Sequence, residues 1–163
     1  LFAGEVAILG LDIPVQVFYF IGIGIIATIL LKRTGFGRYI YAVGGNDTAA
    51  RLSGVNVNRV RVIVFGICGL LSALAALLHA ALVNQGSPID GSGYELNAIA
   101  AVVIGGTSLM GGVGTVVGTM IGAVILSILD NILGLLNIES EYQAILKGVI
   151  IVLAVVIQQR RRY

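Results

Sequence analysis

The chain has 163 residues, of which 58% are hydrophobic and 11% are charged, and its mean hydropathy is +1.02. An ordinary soluble domain carries about 25% charged residues. One small core also could not cover several long, nearly uncharged runs. The composition therefore excludes a soluble globular domain and places the chain among membrane proteins. The net charge of +2 is small, so the positions of the charges are more informative than their sum.

The first predicted element is a membrane helix over residues 14–31. An α-helix of about 18 residues spans about 27 Å, close to the hydrocarbon thickness of a bilayer. The residues before it lack the basic region and the small-residue cleavage site of a signal peptide, and the first residue is Leu1 rather than Met. We therefore expect no signal peptide and a longer protein that continues before Leu1.

A polar insert, GGNDTAARLSGVNV at 44–57, follows this run. Asn46 is a good N-cap and Gly54 a good residue to end a helix, so the pattern predicts one to two turns of helix. Asn56 or Asn58 then caps the next helix. Because so short a helix is marginal in water, it must pack on something.

Two partners for this insert remain open from its residues. It packs either on the ends of its own membrane helices or on a cytoplasmic partner. In the second case the small residues Ala49, Ala50 and Gly54 would face a groove, and Arg51 would face acidic or carbonyl groups.

The remaining apolar runs predict an all-α, polytopic membrane helical bundle of about four to five membrane segments with a cytoplasmic helix. Residues 62–83 form the clearest span. Residues 96–136 predict a short helix, a glycine-rich break at 105–114 and a second helix from about Thr115. The last run is 144–157. Because glycines spaced by four leave a smooth groove on a helix, we expect close helix packing along a set of three glycines: Gly114, Gly118 and Gly122.

The charges predict the orientation, because Lys and Arg mark cytoplasmic segments. The segment 32–61 carries six basic residues against one acid, Asp47, and the C-terminal tail is also basic. We therefore place both on the cytoplasmic side. Residues 96–157 must then cross an odd number of times, either three times or once after a re-entrant hairpin.

Polar residues in the outer half are candidates for lining a solute path, since polar groups at membrane depth must face protein or water. They are Asn84, Gln85, Tyr94, Glu95, Asn97, Asp130 and Asn131. Solvation in outer loops explains most of them equally well. Snorkelling is the simpler interpretation of Lys147, but it could pair with Asp130 if their helices are neighbours.

The sequence shows no pattern for bond chemistry. It lacks a G-x-x-x-x-G-K-[ST] phosphate loop and a G-x-S-x-G elbow. One His and one Cys are too few for a usual zinc site. We therefore expect no catalytic residue, no metal site and no nucleic-acid partner, and a transport or scaffold role.

Two long stretches carry a family resemblance. GRYIYAVGGNDTAARLSGVNVNRVRV at 37–62 and GYELNAIAAVVIGGTSLMGGVGTVVGT at 93–119 resemble the permease subunits of ABC importers for ribose, galactose, xylose and related sugars. The resemblance covers essentially all of residues 1–163, as the C-terminal part of one transmembrane permease domain. It implies an inner-membrane protein whose segment 32–61 is a coupling loop for an ATPase.

The resemblance also implies partners and site residues. An ATP-binding cassette subunit would bind ATP and Mg²⁺, with no cofactor in this chain. A periplasmic sugar-binding protein would deliver the sugar, and a second permease copy would complete the pathway in the lipid membrane. The implied coupling residues are Gly45, Asn46, Ala49, Ala50, Ser53 and Gly54, beside Arg51. Alternatives are a branched-chain amino acid or other small-solute ABC permease, a secondary transporter, and a membrane scaffold.

Overall fold

The computed structural model describes residues 5–8, 11–87 and 91–160. The chain forms two compact units, Leu1–Asp90 and Gly91–Tyr163. Among the described residues there are seven helices and one two-stranded hairpin. The predicted all-α membrane bundle is confirmed; the short hairpin was not predicted.

The first elements described in this unit are the antiparallel strands β1 (Glu5–Ile8) and β2 (Leu11–Pro14), in which Glu5 pairs with Pro14. Helix α1 (Val15–Arg33) follows at once. Pro14 lies at its N-cap, where a fixed φ and a missing N–H are tolerated. The 19 residues of α1 are long and apolar enough to cross a membrane, as predicted.

Helix α2 (Gly35–Gly45) lies inside the predicted coupling loop and was not predicted. Thr34 forms the corner before it: its hydroxyl donates to the carbonyl of Leu30 at 2.5 Å and accepts the N–H of Gly37 at 3.1 Å. A Cβ on Gly37 would collide with the backbone of Leu31. One hydroxyl and one glycine therefore let the chain turn sharply from α1 into α2.

The short helix α3 (Asp47–Leu52) and the long helix α4 (Val57–Val83) complete this unit. Asn56 caps α4, with its Oδ1 accepting the N–H of Arg59 at 3.1 Å. With 27 residues, α4 is about 40 Å long. It therefore exceeds the hydrocarbon thickness and is the second candidate span.

The second unit contains α5 (Tyr94–Ile104), α6 (Val116–Leu135) and α7 (Ser140–Arg160). With 11 residues, α5 is about 16 Å long, half the hydrocarbon thickness. The 20 residues of α6 are long and apolar enough to cross. As predicted, the region 96–136 is a short helix, a break and a longer helix, which begins at Val116.

Glycines bring α5 and α6 together. A Cβ on Gly118 would collide with the carbonyl of Gly105, and one on Gly122 with the carbonyl of Ala101. The residue number rises along α6 from Gly118 to Gly122 while it falls along α5 from Gly105 to Ala101. The helices are therefore antiparallel, with their backbones in contact. Gly114 differs from the prediction: it precedes Thr115, the N-cap of α6, and packs against the side chain of Thr107.

A small apolar core lies next to this glycine contact. Ala100, Ala101 and Leu126 are buried, and Ile151 of α7 packs against them together with Ile104 and Ala123. The core therefore joins all three helices of the second unit.

Candidate functional site

Helix α3 is formed by local capping. The Oδ1 of Asn46 accepts the N–H of Ala49 at 2.9 Å, and Gly54 adopts φ +83° after the C-cap Ser53. Such a positive φ favours glycine, which lacks a Cβ. The predicted cap, short helix and glycine stop are confirmed. Gly45, immediately before Asn46, is the last residue of α2.

Asp47 joins α3 to the first turn of α4. Its Oδ1 accepts a hydrogen bond from Arg51 Nε at 2.9 Å, and its Oδ2 accepts one from Arg61 Nη2 at 2.5 Å. Arg51 Nη2 also donates to Asn58 Oδ1 at 3.4 Å. The hydrogen bond from Arg51, helped by the charges of both guanidinium groups, lowers the pKa of Asp47 below its ordinary value of 3.8.

We expect Asp47→Asn to speed amide exchange in residues 44–56 by a small factor, because exposed ion pairs contribute little individually. The lowered pKa means that the bridges are intact above pH 3.8 and are lost as the pH falls through the lower folded-state pKa. Exchange, corrected for its intrinsic pH dependence, should therefore be constant from pH 7 to 5. Hydrogen exchange followed by mass spectrometry measures the effect of the substitution and the dependence of exchange on pH. Glu139→Gln, at an exposed acid in the other unit, is the control. Equal exchange in both variants would show that the bridges of Asp47 do not hold α3 against α4.

The two faces of α3 have different environments. Ala50 is 5% exposed and lies with buried Val57 and Val60 where α2, α3 and α4 meet. The expectation that Ala50 faces a partner groove is therefore wrong, because its own chain covers it. The opposite face is open: Ala49, Ser53 and Gly54 are exposed, and Leu52 is 85% exposed.

Sequence reasoning missed Leu52, although a leucine on a polar insert was a usable signal. A groove of about 440 Å³ lies between the start of α2 and the α3–α4 connection, and its lining includes Ser53, the residue after Leu52. Its lining also includes Tyr39, Val55 and Arg59. An exposed leucine next to a groove with a cationic rim can contact an apolar and acidic protein surface.

The second unit brings together two of the predicted path residues. Asn97 of α5 and Asp130 of α6 both contact Lys147 of α7, whose Nζ lies 2.9 Å from Asn97 Oδ1 and 2.8 Å from Asp130 Oδ1. The favoured interpretation of Lys147, snorkelling, is wrong, because its side chain is only 12% exposed. Lys147 pairs instead with Asp130, which was the alternative.

Asp130 Oδ1 is buried, and among the described residues no hydrogen bond of good geometry reaches it. The short distance to Lys147 therefore represents an ion pair whose angle departs from that of a hydrogen bond. The charge of Asp130 is compensated by this contact.

The other predicted path residues are exposed. Tyr94 and Glu95 lie in the first turn of α5, and Asn131 lies beside Asp130 on α6. Asn84, at φ +55°, and Gln85 follow α4 in the first unit. Among the described residues, no three His, Cys, Asp or Glu side chains are grouped as metal ligands.

Comparison with known proteins identifies the relatives of the chain. The family described as "Branched-chain amino acid transport system / permease component" matches residues 2–155. The ribose import permease protein of Escherichia coli (strain K12) is 49% identical over 152 residues, which cover 93% of this chain and 47% of that protein. The Bacillus subtilis (strain 168) ribose import permease protein is 46% identical over 151 residues, 93% of this chain and 47% of that protein.

A xylose transport system permease protein of Haemophilus influenzae (strain ATCC 51907 / DSM 11121 / KW20 / Rd) is 47% identical over 143 residues, which cover 88% of this chain and 38% of that protein. The chain thus spans about half the length, or less, of these curated relatives. No solved structure matches it significantly.

Proposed function

This chain belongs to the family of permeases described as "Branched-chain amino acid transport system / permease component", and from that membership we propose that it is the C-terminal part of the membrane subunit of an ATP-driven sugar importer. It is a multi-pass membrane protein whose relatives are transport subunits rather than catalysts. The solute would cross by alternating access, while ATP and Mg²⁺ bind to a separate ATPase subunit.

Identity to named relatives supports a monosaccharide over an amino acid. The ribose and xylose permeases reported above are 46–49% identical to the chain over most of its length. In the full-length permease with its cognate ATPase and binding protein, we expect uptake of labelled ribose or xylose and none of leucine. Leucine uptake without sugar uptake would favour the amino acid alternative. Uptake driven by an ion gradient without ATP would favour a secondary transporter.

The exposed face of α3 is the proposed contact for the ATPase. It presents Leu52, Ala49 and Ser53 beside the groove next to Arg59. Its other face is joined to α4 through buried Ala50 and the bridges of Asp47. Because α4 is a membrane-spanning helix, a displacement of α3 by the ATPase would also displace α4 in the membrane. Segment 32–61 and the C-terminus are then cytoplasmic.

The solute path is proposed on the opposite side of the membrane. Of its predicted residues, Tyr94, Glu95 and Asn131 have exposed side chains that a sugar hydroxyl can reach. Alanine replacement of each, in the same uptake assay, tests this assignment, and wild-type uptake by all three would refute it. A periplasmic sugar-binding protein would deliver solute to that side, and a second permease copy would complete the path.

A further inference from the structure

The contact of Lys147 with Asn97 and Asp130 connects three helices through one side chain. Lys147 lies on α7, Asp130 on α6 and Asn97 on α5. Both partners lie within 3 Å of the ammonium nitrogen. No other salt bridge between described residues joins helices of the second unit.

The position of Lys147 within α7 means that its charge needs a partner. Lys147 lies about two turns from the start of α7 at Ser140, about 10 Å along the helix. The Lys147 side chain is 12% exposed and that of Asp130 is 31% exposed, so each charge is largely shielded and loses its compensation if the other is removed. Lys147 and Asp130 therefore depend on each other.

The polar contact is in register with the apolar core. One turn along each helix from the polar residue is a core residue: Ala101 follows Asn97, Leu126 precedes Asp130 and Ile151 follows Lys147. The three helices thus contribute one residue each to a polar layer and one or more to an apolar layer beneath it. This order also makes α7 parallel to α5 and antiparallel to α6.

Apolar packing alone specifies this arrangement weakly. The core residues are small or aliphatic, so a one-turn slide of α7 would still bring aliphatic side chains such as Val155 to the core. The same slide would separate Lys147 from both of its partners. A largely shielded polar contact can fix a register in this way because its alternatives leave charges unpaired.

We propose that Lys147 is a positioning residue which fixes the register of α7 against α5 and α6, so that the three helices move as one body. That this body moves in a transport cycle rests on the proposed function; the register itself does not. On this proposal, Asn97 and Asp130 position Lys147 and do not line a solute path.

Cross-linking in the full-length permease tests the register. In a background in which Cys68 and every cysteine outside residues 1–163 are replaced by Ser, cysteines replace Ala101 and Ile151 in one variant, and Ala101 and Val155 in another. With Lys147 present, a short thiol-reactive cross-linker should join the first pair at least about tenfold more than the second, as expected for one helix register. In Lys147→Met the two yields should become similar.

Two further variants separate positioning from general stability. Lys147→Arg should keep the wild-type yield ratio, because it keeps the cation. The exchange Lys147→Asp with Asp130→Lys should also restore it, because the amide of Asn97 can donate to a carboxylate as readily as it accepts from an ammonium. A Lys147→Met variant that remains folded and keeps the wild-type ratio would overturn the proposal, as would failure of both rescuing variants.

Sugar uptake by the same variants keeps the two proposals distinguishable. The yield ratio requires neither sugar nor ATPase. If wild-type cross-linking is as expected but the permease carries no sugar, the proposed function fails and the register stands. If Lys147→Met loses uptake with an unchanged yield ratio, the register fails and the proposed function stands.

Discussion

Leu52→Asp is expected to abolish ATP-driven sugar uptake by the full-length permease while the protein stays folded. Leu52 is 85% exposed, so the fold does not depend on its burial. Full burial of a leucine against a partner contributes about 1.5–3 kcal/mol. Its loss, together with the cost of burying a carboxylate, should weaken ATPase binding by at least about 100-fold.

Leu136→Asp is the matched control for this variant. Leu136 is also an exposed leucine, at 65%, but it lies at the C-cap of α6. Affinity capture of the purified ATPase measures binding, and labelled sugar measures uptake. We expect Leu136→Asp to keep ATPase binding. If Leu52→Asp binds the ATPase and takes up sugar as the wild type does, α3 does not contact the ATPase through this face.

The second large effect is expected from Gly118→Ala. Even a single Cβ at this position would collide with the carbonyl of Gly105, a backbone atom that cannot rotate away. Separating α5 from α6 would disturb the core around Ala101 and Leu126. Overpacking of this kind costs about 1–3 kcal/mol, so we expect a clear fall in melting temperature.

Gly134→Ala on the same helix provides the control. A Cβ there meets nothing within 4 Å, and alanine is favoured over glycine in a helix by about 1 kcal/mol. Size-exclusion chromatography of heated, detergent-solubilised permease compares the two. We expect Gly134→Ala to match or exceed the wild type. Equal melting temperatures for both variants would show that the α5–α6 contact is looser than described.

Local features of the sequence predicted the local structure of the candidate site. Asn46 and Gly54 act on neighbouring backbone groups, so their roles could be inferred without knowing the fold. Helix α2 was missed because four of its eleven residues are glycines, which disfavour helices. It forms because Thr34 caps it and Gly37 packs on the backbone of Leu31, and the second contact depends on the path of α1.

The faces of α3 could not be predicted in the same way. Ala49 and Ala50 are identical in the sequence, yet one is exposed and the other buried, since only the direction of α4 decides which face is covered. The Lys147–Asp130 pair required α6 and α7 to be neighbours, which their sequences left open. The contact with Asn97 spans 50 residues of chain and follows from packing alone.

The charge pair in the second unit also has a consequence for biosynthesis. Asp130 is synthesised before Lys147, so when α6 first leaves the ribosome its carboxylate has no cation from α7. Only residues 136–139 connect α6 to α7. The start of α7 therefore stays near the end of α6 as the chain is synthesised. Entry of α6 and α7 into the membrane as one hairpin allows the carboxylate to meet its ammonium before either is exposed to lipid.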